Sequence, residues 1–245
     1  YEVVLAIFDE HLEVASARLR EVLSHRVDGA VFANLEPPNA LLRFRELCDA
    51  HDVRAVLPRP MGDRNALVVG IDRRAGMARA AAHLIALGRR RLGFFGGSTG
   101  HYTHHVKLQG LYDAASQAGV TIDAADIWPA STAKPFSEIV ASAEALLRAR
   151  PHLDGLLCED DRAGAAVVRA ALRSGRRVPD DLSVIGFNGS ETSEICDVPL
   201  TTVVQPVDLW SRTAFDLAIA SSPAPPGPPL LLPTSLLVRE SCGAT

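Results

Sequence analysis

The chain has 245 residues, of which 47% are apolar and 22% are charged, and its formal net charge is −4. This composition is typical of a globular protein with a large core, and it excludes disorder for the bulk of the chain. No apolar run approaches the ~18 residues of a membrane span, and no basic start with an apolar stretch behind it predicts a signal peptide. The acidic balance argues against a large nucleic-acid-binding face in these residues.

The cysteine spacing bears on the cellular compartment and on metals. The four cysteines are Cys48, Cys158, Cys196 and Cys242, which are widely scattered in the sequence. A disulfide framework or a zinc site needs paired spacings. We therefore predict reduced thiols in a cytoplasmic protein, with no metal and no cofactor.

Short apolar runs alternate with helical patterns along the chain. The predicted strands are residues 3–8, 30–35, 54–57, 66–71 and 92–95, followed by 120–122, 155–158, 182–187 and 201–204. Most runs are continuous, as in strands that are buried on both faces of a parallel sheet. Apolar residues recur at helical spacing between them, for example over residues 12–23, 41–48 and 77–85. This alternation predicts an α/β fold with two doubly wound parallel-sheet lobes, split near Gly96-Gly97.

A proline-rich stretch precedes the end of the chain. Residues 221–229 contain five prolines, which excludes a helix or a central strand there. The apolar runs 230–232 and 236–238 that follow are typical of a returning strand. We therefore predict a surface loop at 221–229 instead of a linker between domains.

Two clusters suggest binding sites but have simpler interpretations. Arg89-Arg90-Arg91 could contact phosphate or nucleic acid, but cations just past a helix end also complement the helix dipole, and we favour that interpretation. His101 and His105 have the spacing of zinc ligands on one helix face, with His104 between them. No glutamate follows the first histidine as in zinc enzymes, and no third ligand is near. We predict solvated or ligand-facing loop histidines.

Polar residues follow several predicted strands. Asp72, Gly96-Gly97-Ser98, Asp160 and Asn188 lie at such positions, and ligands of open α/β sheets bind beyond the carboxyl ends of the strands. Asp160 and Asp161 also precede a predicted helix, where capping alone explains one carboxylate. Dinucleotide, P-loop and Gly-x-Ser-x-Gly motifs are missing from the sequence. We therefore expect a polar binding cleft and no enzymatic function.

Four segments resemble signatures of the lactose-repressor family of transcription regulators, and they occur in the family's order. They are residues 82–97 (AHLIALGRRRLGFFGG), 178–187 (VPDDLSVIGF), 199–206 (PLTTVVQP) and 237–242 (LVRESC). The resemblance implies the effector-sensing and dimerising core of a repressor, with two periplasmic-binding-protein-like (type I) lobes and a hinge, closing on a sugar-like or related small effector. It implies an N-terminal lobe of residues 1–97 plus 206–229 and a C-terminal lobe of 98–205 plus 230–245. Operator DNA would be contacted only through a helix-turn-helix domain that this sequence does not contain, and the regulator would be a homodimer.

The resemblance also implies effector-binding residues. The segment that begins at Lys107 is similar to the family's Arg-x-x-Gly, and Asp160-Asp161 is similar to its Asn-Asp. Asn188 stands where the family's Gly-Phe-Asp motif has its aspartate, and Gln205 matches the family's glutamine. The stacking aromatic residue is Trp128 or Phe136, and Asp72 joins the set through its place after a strand. Lys107 and Asn188 depart from the family pattern, since a lysine lacks the planar fork of arginine and an asparagine both donates and accepts. These departures predict an unusual effector instead of an ordinary monosaccharide.

The start of the sequence departs from the family. Residues 1–8 resemble the second strand of the first lobe, so that the first strand and first helix, roughly 30 residues, have no counterpart. In the sheet order 2-1-3-4-5 that strand is internal. We therefore predict that the sequence begins after a trimmed or deleted segment.

Two other classes of protein have the same architecture. An exported sugar-binding protein of this fold would carry a signal peptide and serve a transporter, and an α/β enzyme would use the same cleft. The segments at 199–206 and 237–242 favour the regulator.

Overall fold

The computed structural model of the chain describes residues 3–5, 12–25, 27–33, 38–62, 66–220 and 227–243. The helices are α1 (Leu12–Ser24), α2 (Pro38–Ala50), α3 (Arg73–Ala86), α4 (Tyr102–Gln117), α5 (Phe136–Ala149), α6 (Asp161–Arg173), α7 (Thr192–Ile195) and α8 (Val207–Ile219). The strands are β1 (Gly29–Val31), β2 (Arg54–Leu57), β3 (Leu67–Ile71), β4 (Leu92–Phe95), β5 (Ile127–Trp128), β6 (Gly155–Cys158), β7 (Ser183–Asn188), β8 (Thr201–Val204), β9 (Leu230–Leu232) and β10 (Ser235–Leu237). No helix in these ranges is long and apolar enough to cross a membrane.

The chain forms two compact units, of which the first comprises Tyr1–Ile71 and Pro206–Leu232. Its parallel sheet has the order β1-β2-β3-β9. On one face, α1 and α2 bury Leu41 and Phe44 against the sheet, and α8 contributes Ala214 to a second cluster with Val56 and Val69. Both faces are covered, which explains why its strands are continuous apolar runs.

The second unit comprises Asp72–Gln205 and Pro233–Thr245. Its sheet has the order β10-β8-β7-β6-β4-β5, and only the pairing of β10 with β8 is antiparallel. Helices α3 and α4 bury Met77, Leu84 and Leu111 in one core cluster, while α5 and α6 bury Leu146 and Val167 in another. The predicted α/β fold with parallel sheets is confirmed.

Most predicted strands form where the sequence places them. Residues 54–57, 92–95, 155–158 and 201–204 coincide with β2, β4, β6 and β8, and 230–232 coincides with β9. The strand predicted at 120–122 is wrong, because the Val120 N–H closes the end of α4 on the Ala115 carbonyl, 2.8 Å away. Val120 and Ile122 instead pack against the core cluster beneath α3 and α4. Residues 3–5 are not in a strand, and the rest of the predicted strand 3–8 lies outside the described residues.

The predicted lobe boundaries differ from the bounds of the two units. We expected residues 72–97 in the first lobe and 230–232 in the second. In the structure β4 pairs with β5 and β6, which places it in the second sheet, and β9 pairs with β3, which places it in the first. The chain passes between the units after Ile71, Gln205 and Leu232 instead of after Gly97, Gln205 and Pro229. Residues 221–226 of the predicted proline loop lie outside the described residues, and 227–229 are irregular.

The segments that suggested the family act as connectors between elements. Arg89 donates to the carbonyls of Pro179 and Asp180, and Arg90 donates to the Ile85 carbonyl in the last turn of α3, which supports the helix-end interpretation. Ser241 is fully buried, and its hydroxyl donates to the Val184 carbonyl (2.6 Å) while accepting from the Thr201 N–H (2.9 Å). The closing segment therefore fastens β7 to β8.

The cysteines of the described residues are free thiols. Cys48, Cys158 and Cys242 are buried and Cys196 is half-buried. Burial raises the pKa of the Cys48 thiol to about 12.

Gly110 allows α4 to lie close to α3. A Cβ atom at this position would come within 2.2 Å of the Arg74 carbonyl oxygen on α3. We expect Gly110→Ala to lower the free energy of unfolding by about 1–3 kcal/mol, as overpacking of a tight contact does. Gly100→Ala is the control, because the nearest atom to its Cβ would be 4.0 Å away. Urea unfolding of both variants gives the comparison, and equal stability would contradict the close packing.

Candidate functional site

Polar residues meet where four neighbouring strands of the six-stranded sheet end. Gly96-Gly97-Ser98 follow β4, Glu159-Asp160-Asp161 follow β6, Asn188-Gly189-Ser190 end and follow β7, and Gln205 follows β8. These strands are parallel neighbours in the order β8-β7-β6-β4. Their carboxyl ends therefore lie along one side of the sheet, where ligands of this fold class bind. We call these four segments the carboxyl edge.

Asn188 and Gln205 are joined at the exposed part of the carboxyl edge. The Gln205 Nε2 atom donates to Asn188 Oδ1 (2.5 Å), and the Gln205 N–H donates to the Asn188 carbonyl (3.3 Å). Asn188 has φ +113°, a conformation that few non-glycine residues adopt. Among the described residues, these bonds use neither the Asn188 Nδ2 donors nor Gln205 Oε1. The pair thus keeps a donor group, Asn188 Nδ2, and an acceptor, Gln205 Oε1, outside these two bonds.

Asp161 holds the strand ends beneath this pair. Its side chain is buried and accepts from the Ser190 N–H (2.6 Å), the Ser190 hydroxyl (2.8 Å) and the Thr202 hydroxyl (2.5 Å). Burial raises the pKa of this carboxyl group, although the bonds from Thr202 and Ser190 oppose the shift. The resemblance matched Asp161 as the second residue of the Asp160-Asp161 pair, and the structure shows its side chain bonded to Ser190 and Thr202.

Asp72 and Asp160 are helix caps. The Asp160 carboxylate accepts from the Ala163 N–H at 2.7 Å, and the Asp72 carboxylate accepts from the Ala75 N–H at 2.9 Å. Capping is the structural role that the sequence suggested for the acidic pair after β6. Asp160 lies on the carboxyl edge, next to Asp161.

Lys107 lies inside the protein and forms an ion pair. Its Nζ atom donates to Glu159 Oε1 (2.5 Å) and to the Glu159 carbonyl (2.6 Å), and it lies 4.4 Å from the centre of the Phe187 ring. The side chains of Lys107 and Glu159 are 6% and 11% exposed. Lys107 therefore directs its charge at Glu159, the residue that precedes Asp160-Asp161 in the sequence.

The three histidines are on or next to α4 instead of in a loop, which corrects that expectation. His101 is the N-cap residue of α4 and is exposed, as is His105, whereas His104 is buried. His104 Nδ1 lies 3.4 Å from Glu159 Oε2, and its ring meets Phe94 edge-on. No group of three or more His, Cys, Asp or Glu side chains in the described ranges could hold a metal ion.

The charge of Glu159 depends on Lys107. Burial alone would raise the pKa of Glu159, but the adjacent Lys107 charge and the bonds from His104 and Lys107 hold it below the ordinary value of 4.5. Glu159 is therefore a carboxylate at neutral pH. Gly97 permits this arrangement, because a Cβ there would lie 2.4 Å from His104 Nδ1 and 2.6 Å from Glu159 Oε2.

Acid is expected to remove the stability that the Lys107–Glu159 pair contributes. Because the folded pKa of Glu159 lies below 4.5, the contribution is complete above that pH and is lost as the pH falls through the folded value. The free energies of unfolding of the wild-type chain and of Glu159→Gln should therefore converge between neutral pH and about pH 3. Urea titrations across this range measure the difference, and a constant difference would contradict the charge pairing.

The two candidate stacking residues pack within the second unit. Trp128 ends β5, and its Nε1–H donates to the Ser142 hydroxyl at 3.2 Å. Phe136 begins α5, with the Arg169 guanidinium 5.3 Å from the centre of its ring. Both rings are partly buried against the core cluster beneath α5 and α6. Stacking of either ring on an effector stays a prediction.

Comparisons with known proteins identify the family to which this fold belongs. Residues 81–242 match the family described as periplasmic binding protein-like domain. The chain is 29% identical over 217 residues to the HTH-type transcriptional regulator CelR of Thermobifida fusca, covering 88% of the chain and 63% of that protein. It is 26% identical over 245 residues to the ribose operon repressor of Halalkalibacterium halodurans, covering 98% of the chain and 70% of the relative. It therefore spans just under two thirds of CelR.

Solved structures share the fold. A transcriptional regulator CelR–cellobiose complex has 29% sequence identity and a TM-score of 0.80, covering 93% of this chain and 70% of that one. A Lac repressor bound to ONPG has 21% identity and a TM-score of 0.84, covering 98% of this chain and 71% of that one. The chain belongs to the periplasmic binding protein-like domain family, in the form found in lactose-repressor-type regulators.

Proposed function

We propose that this chain is the effector-sensing and dimerising core of a cytoplasmic DNA-binding transcription repressor that responds to a sugar-like small molecule. The effector binds at the carboxyl edge, where Asn188 and Gln205 present a donor and an acceptor. Operator DNA is bound in the intact protein by a helix-turn-helix segment outside these 245 residues. The matched relatives are transcription regulators, which favours this function over an enzyme or an exported binding protein.

The paired amides carry the proposal. Sugars offer hydroxyl groups that both donate and accept hydrogen bonds, and a side-chain amide provides both partners. Asn188 and Gln205 are held to each other, and Asp161 holds Ser190 two residues further on. A polar site that is fixed in advance loses less conformational entropy when a ligand binds.

Isothermal titration calorimetry with cellobiose, ribose, glucose and free nucleobases tests the effector site. We expect one member of the panel to bind with one site per chain. Asn188→Ala and Gln205→Ala should each weaken that binding by about 1–3 kcal/mol, the effect of removing one buried hydrogen-bond partner. Asp160→Ala should weaken it less, because its carboxylate caps α6.

Gln117→Ala is the matched control, because Gln117 is exposed at the end of α4. It should bind the effector as the wild-type chain does. Unchanged affinity in Asn188→Ala, Gln205→Ala and Asp160→Ala together would contradict the proposed site. Absence of binding across the whole panel would contradict a sugar-like or nucleobase effector.

Dimerisation is the second part of the proposal. Regulators that bind near-palindromic operators pair their DNA heads through a two-fold dimer. The predicted contacts are exposed apolar side chains of α2 and α3, and Leu42 of α2 is about half exposed. Light scattering at micromolar concentration should give the mass of two chains, and a monomer mass would argue against dimerisation through these residues.

A further inference from the structure

The ammonium group of Lys107 has its hydrogen-bonding capacity used inside the protein. It donates to the Glu159 carboxylate and to the Glu159 carbonyl, and it lies over the Phe187 ring. These two bonds use two of the three N–H donors of the ammonium group, and the Lys107 side chain is only 6% exposed. The positive charge of Lys107 is balanced by the Glu159 carboxylate, 2.5 Å away, before a ligand reaches the carboxyl edge.

The other charges at the carboxyl edge are mostly negative. Three consecutive carboxylates, Glu159, Asp160 and Asp161, follow β6. Asp160 caps α6, and the buried Asp161 accepts from the Ser190 N–H. Arg162 follows them, and its Nη1 atom donates to the Thr132 carbonyl. The three carboxylates and the two cations, Lys107 and Arg162, together carry a formal charge of −1.

We propose that Glu159 is a specificity-determining residue: by neutralising Lys107, it restricts the carboxyl edge to ligands without a negative charge. This inference rests on the proposed effector site and adds the ligand's charge class to it. An anionic ligand would approach side chains with a formal charge of −1, whose ammonium group already has a carboxylate partner, and this is repulsive at close range. Hydroxyl groups of a neutral ligand need no counter-charge and can bond to Asn188 and Gln205.

Glu159→Gln tests the inference because it removes the charge and almost preserves the side-chain shape. The probes are matched pairs that differ by one carboxylate, namely glucose with gluconate and cellobiose with cellobionate. In the wild-type chain we expect no measurable binding of the two acids. In Glu159→Gln we expect at least one acid to bind measurably, with an affinity at least tenfold above the detection limit set by the wild-type chain, and this gain should decrease as salt is added.

Glu138→Gln is the matched control. Glu138 pairs with Lys134 on the exposed surface of α5, with both side chains more than half exposed. Lys107 and Lys134 are the only lysines in the sequence, so the two variants remove the partner of one lysine each. Glu138→Gln should bind the acids no better than the wild-type chain does.

Lys107→Arg is a second variant, in case Glu159→Gln does not fold. A guanidinium group has five donors, so it can keep the pair with Glu159 and still offer donors to a carboxylate ligand. We expect a smaller gain of acid binding, about threefold to tenfold, in a chain that keeps Glu159. If neither folded variant gains acid binding, or if the wild-type chain already binds the acids as well as the neutral sugars, the inference is wrong.

The outcomes distinguish the inference from the proposed function. Neutral sugar binding by the wild-type chain, without a gain of acid binding in the folded variants, would keep the proposed function and reject the role of Glu159. A gain of acid binding, without neutral sugar binding in any variant, would keep the role of Glu159 and reject the sugar effector.

Discussion

Lys107→Met is expected to lower the free energy of unfolding by about 3–5 kcal/mol, because it leaves a buried carboxylate without its cation. Glu159 is 11% exposed at its side chain and has Lys107 as its only neighbouring ammonium group, since the other lysine, Lys134, pairs with Glu138. Urea unfolding followed by tryptophan fluorescence measures the effect. The two tryptophans, Trp128 and Trp210, lie in different units, so that a Trp210→Phe background reports on the second unit alone.

Two further variants control this experiment. The double variant Lys107→Met with Glu159→Gln removes both charges and should recover part of the loss, because no ion is left buried. Lys134→Met removes the exposed partner of Glu138 and should change the free energy of unfolding by less than about 1 kcal/mol. A loss in Lys107→Met as small as that in Lys134→Met would show that the Lys107–Glu159 pair does not form as described.

Asp161→Ala is expected to destabilise the second unit by about 1–3 kcal/mol and to weaken effector binding at Asn188. The substitution removes the acceptor for the Ser190 N–H, the Ser190 hydroxyl and the buried Thr202 hydroxyl. Ser190 is two residues from Asn188, so the segment that carries the Asn188 amide loses its anchor. Denaturant unfolding and calorimetry on the same samples measure both effects.

Asp161→Asn is the conservative comparison for this prediction. Its amide oxygen can still accept from Ser190, and its amide hydrogens can donate to the Thr202 hydroxyl, which can accept. We therefore expect most of the stability and most of the effector affinity to return. Equal losses in Asp161→Asn and Asp161→Ala would show that the negative charge, and not the hydrogen bonding, is what matters.

The fold was largely predictable because its strands are short, continuous apolar runs. β2, β4, β6 and β8 fall on the predicted residues, since both faces of each sheet are covered by helices. The run at 120–122 was misleading because an apolar segment after a helix can pack on the core without joining a sheet. The lobe boundaries were misplaced because sheet membership is decided by non-local pairing, such as β9 with β3.

The candidate site was predictable only where position along the chain determines it. Asp160, Asn188 and Gln205 lie at or after strand ends, and topology places them on one side of the sheet. The pairing of Lys107 with Glu159 spans 52 residues, and no periodicity links the two positions. A lysine at the family's arginine position suggested a ligand contact, whereas the adjacent buried carboxylate makes it an internal ion pair.

A crystal structure of the chain with its bound effector tests the central claim most directly. The account predicts effector hydroxyl groups within hydrogen-bond distance of Asn188 Nδ2 and Gln205 Oε1, with Lys107 still paired with Glu159 and no negative charge on the effector. An effector bound away from the carboxyl edge, or one whose acidic group has displaced Glu159 from Lys107, would contradict it.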